Sequence, residues 1–72
     1  MEYGDFGDAL NWMRLGRGVL RQGAWIKHDA CYRMSDDCKE IGVYSPDGNL
    51  LYRPIFTNAD LTAKDWYKVY GG

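Results

Sequence analysis

The chain has 72 residues, enough for one domain over 1–72 but only for a thin core, since a protein of that length buries about 60 to 65% of the surface its unfolded form exposes. A hydrophobic fraction of 46% and an aromatic fraction of 15%, with three Trp and six Tyr, exceed what such a core covers, so some rings are expected at an interface or in a pocket. Nine basic against ten acidic residues leave a formal charge of −1, which removes the field that would draw the protein to a DNA or RNA polymer or to anionic lipid.

In chain order, Asp5 and Asp8 stand three apart before a periodic stretch and suit the positive end of a helix. Phe6, Ala9, Leu10 and Met13 follow the i, i+3, i+4, i+7 rule and predict one apolar face, with Asn11 and Arg14 pointing away and Trp12 at the edge of the core. Gly16 is expected to end this helix in the left-handed conformation, with Arg14 and Arg17 near its negative end. "VLRQGAWIKHDACYRM" then reads as two strand segments interrupted at Gly23-Ala24, and "SDDCKE" as a loop.

The hairpin signal is the clearest local feature. Ser45-Pro46-Asp47-Gly48 puts Pro and Gly where a turn wants them, between runs rich in Val, Tyr, Ile and Leu, and Pro54 should end the second strand. Beyond it, Thr57 and Asn58 can cap a turn, and "LTAKD" over 61–65 predicts a single helical turn whose backbone Asp60, Thr62 and Asp65 satisfy. Leu61 and Trp66 are expected to anchor that turn, and "WYKVY" to finish as a strand with one face in the core. The architecture expected is α+β: one N-terminal helix packed on a twisted antiparallel sheet of four or five strands, with a short helical turn before the last strand.

Signals for chemistry are sparse. The chain has one His and lacks the spacings of a serine hydrolase elbow, a zinc protease helix or a phosphate-cradling loop before a helix. His28, Cys31 and Cys38 offer three metal ligands where a structural zinc site wants four, so reduced thiols without metal are expected. Asp36-Asp37 reads as a solvated loop pair; with Asp60 it would be the acid set of a metal-dependent nucleotide hydrolase. No run approaches the roughly 18 apolar residues of a membrane span, and the acidic start lacks a signal peptide's basic region, which predicts a cytosolic protein.

Trp25, Tyr44, Tyr52, Phe56 and Trp66 recur along the strands among Arg21, Arg53, Thr57 and Asn58. Rings that stack on a base, with Arg, Thr and Asn for ribose and phosphate, are what a small nucleotide pocket requires. The same pattern also describes ordinary cross-strand core pairs.

"DFGDALNWMRLGRGVLRQGAW" and "ADLTAKDWYKV", with "SPDG" and "YRP" between them, resemble the small phage-encoded anti-Thoeris proteins of the second type along nearly the whole chain. That resemblance implies a protein that is not an enzyme and needs no cofactor. It implies a homotetramer, a dimer of dimers in the host cytoplasm, that acts as a sponge for cyclic ADP-ribose isomers made by TIR-domain enzymes. Some relatives also bind cyclic oligonucleotides at a separate site.

Family pockets lie between subunits. The matching positions here are Phe6, Trp25 and an aromatic before the closing turn, either Tyr52 or Phe56. Phe6 and Trp25 would enclose the adenine, Arg21 or Arg53 would answer the diphosphate, and Thr57, Asn58 and Asp60 would hold ribose or base edges. One departure is plain: the family's Arg-x-Gly-Trp carries an extra Ala24 here, which turns the ring to the other strand face unless a bulge absorbs it. A different class of function would be a small interaction protein that binds a host polypeptide through the sheet edge near Pro54 or a patch around Trp12.

Overall fold

The computed structural model describes residues 2–24, 26 and 29–69. Its elements run α1 (Phe6–Arg14), β1 (Gly18–Arg21), β2 (Cys31–Met34), β3 (Ile41–Tyr44), β4 (Leu50–Tyr52), α2 (Asn58–Thr62) and β5 (Trp66–Val69). The strands form one antiparallel sheet in the order β4-β3-β2-β1-β5, an α+β fold with α1 on one face.

Each end of α1 is written locally. Asp5 accepts from the Asp8 backbone N–H at 2.9 Å and Asp8 accepts from that of Asp5 at 3.1 Å, a reciprocal capping box made of two aspartates. At the other end Gly16 takes φ +85°; its N–H reaches the Met13 carbonyl at 3.0 Å and the Arg17 N–H reaches that of Trp12 at 3.0 Å, a Schellman closure. Between them Ala9 and Met13 are buried, and Phe6 and Leu10 pack partly buried beside them. Trp12 covers the core's edge, with the Lys68 ammonium 5.4 Å from its ring centroid.

The strands share one register row. Lys68 opposes Val19, Val19 opposes Tyr32, Tyr32 opposes Val43 and Val43 opposes Tyr52, so these five residues cross all five strands. Directly opposed residues point to the same face. The row therefore starts under Trp12, passes through buried Val19, Tyr32 and Val43, and ends on Tyr52 at the far edge. On the other face the Cys31 side chain lies against Gly18, where an added Cβ would stand 2.5 Å from Sγ.

The β3–β4 hairpin turns as its sequence predicts: Gly48 has φ +88° and its N–H reaches the Ser45 carbonyl at 2.9 Å. β4 ends at Tyr52, ahead of Pro54. Since β4 and β5 form opposite edges, residues 53–65 cross from one edge to the other and lay Phe56 and α2 over the same face as α1.

Three expectations are corrected. The helical turn begins at Asn58, not at Leu61, because Thr57 and Asp60 form a capping box that fixes an earlier start. Leu61 is 46% exposed and does not anchor the turn, whereas Trp66 is fully buried and donates its indole N–H to the Asp60 carbonyl at 3.0 Å. The extended backbone of β1 stops at Arg21, where the Ala24 N–H turns back to the Arg21 carbonyl at 3.3 Å, and β2 begins only at Cys31.

The core is correspondingly aromatic. Phe6, Tyr32, Phe56 and Trp66 stand with ring centroids 5.3–6.0 Å apart in edge-on and tilted pairs. Such pairs add about 0.5–1.5 kcal/mol each beyond the burial itself. No helix among the described residues is long and apolar enough to cross a membrane.

Candidate functional site

The closing turn meets β1 through a single guanidinium. Arg21 Nη1 donates to Asp60 at 2.6 Å and its Nε to Asp65 at 2.9 Å, with side-chain exposures of 15% and 16% for the first pair. Asp60 also accepts the Thr57 backbone N–H at 2.9 Å and its hydroxyl at 3.1 Å, while Asp65 accepts the Gly23 N–H at 2.8 Å. Asp65 thus satisfies the connection after β1, not the backbone of its own turn, and Thr62 donates its hydroxyl to the Asn58 carbonyl at 2.7 Å.

These contacts move the titrations in one direction. The Thr57 N–H, helped by Arg21, holds the Asp60 carboxyl below the ordinary carboxylate range, and the Arg21 hydrogen bond does the same for Asp65. Arg21 is raised in turn, by Asp65 first and Asp60 second.

The fold gathers several residues singled out by sequence. Phe6 and Phe56 belong to the aromatic core, 5.3 Å apart in an edge-on pair. Arg21, Thr57 and Asp60 form the polar cluster above that core, and Asn58 opens α2 with its side chain exposed. Tyr52 ends the register row, 53% exposed, and Arg53 beside it pairs with Glu40 at 2.7 Å in an exposed bridge. Trp25, expected to enclose the base, lies outside the described residues, as does His28.

Sequence reasoning passed over Tyr32. It sits at the middle of the register row, its ring packed against both Phe56 and Trp66 at 5.4 Å in a triangle of three rings, and burial first, then the Asp60 charge, raise its phenol above the ordinary range. The alternation in "CYRM" marks Tyr32 as one face of a strand. Nothing local says that the strand is central.

A second concave feature lies elsewhere, a groove of about 590 Å³ where the end of α1 meets β2 and β3, lined in part by Arg14, Arg33, Met34 and Tyr44. Arg33 donates to the Gly16 carbonyl at 3.0 Å. Its cations therefore answer the negative end of α1, whose partial charge opposes a bound anion.

The cysteines are free, Cys31 buried in β2 and Cys38 exposed in the following turn. Burial first pushes the Cys31 thiol up, away from the reactive thiolate. Asp37 accepts from the Ser35 hydroxyl at 2.5 Å and the Lys39 N–H at 3.1 Å, and among the described residues Asp36, Asp37 and Asp60 do not assemble into a metal-binding group.

No known protein family, curated protein or solved structure matches this chain.

Proposed function

We propose that this chain is a sponge: it binds a cyclic ADP-ribose-type nucleotide, or a related cyclic nucleotide signal, and withholds it from a phage-defence effector such as that of Thoeris without converting it. The observation that carries this reading is the Arg21–Asp60 cluster at the rim of the aromatic core, joined to it where the Trp66 indole donates to the Asp60 carbonyl, with Tyr52 exposed at the end of the register row and Asn58 exposed at the start of α2. An aromatic wall with a few fixed polar groups is the composition of a small-molecule site. The resemblance of both chain ends to the second type of anti-Thoeris proteins supports the same class of ligand.

The rim of one chain is half a site. Leu50 and Leu51 on β4, and Ile55 in the segment after it, are exposed, Ile55 at 91%, which supports assembly into the homotetramer proposed here with the ligand held between subunits. Within the rim, Arg21 already serves two carboxylates, so the diphosphate falls to Arg53. The exposed Arg53–Glu40 bridge is worth only about 0–1 kcal/mol and is readily exchanged for a phosphate.

Binding alone suffices for sequestration. A cyclic ADP-ribose has on the order of 35 non-hydrogen atoms, which at about 0.3 kcal/mol per atom permits roughly 10 kcal/mol, or tens of nanomolar. The test is ligand release: incubate the protein with TIR-generated cyclic ADP-ribose, filter, heat and assay the filtrate. Intact ligand recovered after heating is the expected result. A converted product would instead indicate a nucleotide hydrolase, and no retention would indicate a partner of another kind, such as a host polypeptide.

A further inference from the structure

At the rim, most polar groups are already engaged within the fold. Arg21 is held by Asp60 and Asp65, and Thr57 and Asp60 cap α2. The Tyr32 hydroxyl takes part in none of the side-chain hydrogen bonds among the described residues, although its residue is only 9% exposed. Among the described residues no fully buried side-chain oxygen or nitrogen lacks a partner, so the unbonded Tyr32 oxygen is one that solvent reaches.

A buried ring that ends in a hydroxyl with no partner among the described residues is unusual, because a tyrosine in a core normally spends its O–H on the protein. Phenylalanine would fill the same space against Phe56 and Trp66 without exposing a polar atom. Burial of the ring, and then the Asp60 carboxylate, push the phenol above its ordinary range, so the hydroxyl keeps its proton at neutral pH and can donate it.

We infer that Tyr32 is a specificity-determining contact of this rim, its hydroxyl donating a hydrogen bond to an acceptor atom on the base or ribose of the bound nucleotide while its ring stays locked in the core. This rests on the binding reading above and adds to it a residue on the central strand, positioned by packing against Phe56 and Trp66. A donor held so rigidly discriminates strongly, because a ligand without the matching acceptor leaves it unpaired in a desolvated site.

The experiment compares wild type, Tyr32→Phe and, as a control away from the rim, Tyr3→Phe, by thermal melting and by calorimetric titration with cyclic ADP-ribose. Tyr32→Phe should melt within about 2 °C of wild type, since it breaks no hydrogen bond among the described residues, yet bind about tenfold or more weakly. Tyr3→Phe should match wild type in both. Equal affinity of Tyr32→Phe and wild type would overturn the role of the hydroxyl and leave the sponge reading intact. A marked loss of stability would overturn it too, by showing that the hydroxyl serves the fold. Absence of binding by wild type would remove both.

Discussion

Arg21 joins residues 39 and 44 positions away, Asp60 at 2.6 Å and Asp65 at 2.9 Å, and so decides where the closing turn sits. An exposed ion pair is worth about 0–1 kcal/mol, but this guanidinium is mostly covered and divides its donors between two acids that would otherwise face each other. Arg21→Gln should cost roughly 1–3 kcal/mol, read from urea unfolding at neutral pH. The pH dependence has a definite sign. Both carboxylates have folded values below their unfolded ones, so their contribution is complete above the ordinary carboxylate range and is lost as pH falls through the depressed values. Wild type should therefore lose melting temperature below about pH 4, and Arg21→Gln should lose less over the same interval. Parallel curves for the two proteins would show that Arg21 does not set these titrations.

Among the elements, α1 was the most legible because its signals are local. Asp5, Asp8, the apolar stripe and Gly16 lie within twelve consecutive residues, and the structure uses each as its position suggests. Gly16→Ala should cost about 1 kcal/mol: an added Cβ meets nothing within 4 Å, so the loss comes from the φ of +85° alone, and an unchanged urea midpoint would refute the Schellman closure as the stop. The closing helix was misplaced by three residues for an equally local reason. "LTAKD" has helix formers, but Thr57-x-x-Asp60 is a capping box, and two satisfied backbone N–H groups outweigh propensity over so short a turn. The sheet order was not legible, since it depends on pairings such as Gly18 with Val69 that lie across the whole chain. The same non-locality hid Tyr32. A residue becomes central only when its strand does.

At the scale of the molecule, the aromatic surplus divides. Phe6, Tyr32, Phe56 and Trp66 build a core that the small chain could not otherwise make, while Leu50, Leu51 and Tyr52 on β4, and Ile55 just after it, remain outside it. Composition foresaw rings beyond the core's capacity. It could not say which, because Phe6 and Phe56, chosen for a pocket, satisfy each other within one chain. The sponge proposed above would be an assembly of such domains whose rims close on an intact nucleotide. Native mass spectrometry of the protein mixed with cyclic ADP-ribose tests that proposal most directly: a multimer carrying a whole number of unaltered ligands is expected, and a ligand-free protein, or one carrying a hydrolysed fragment, would contradict it.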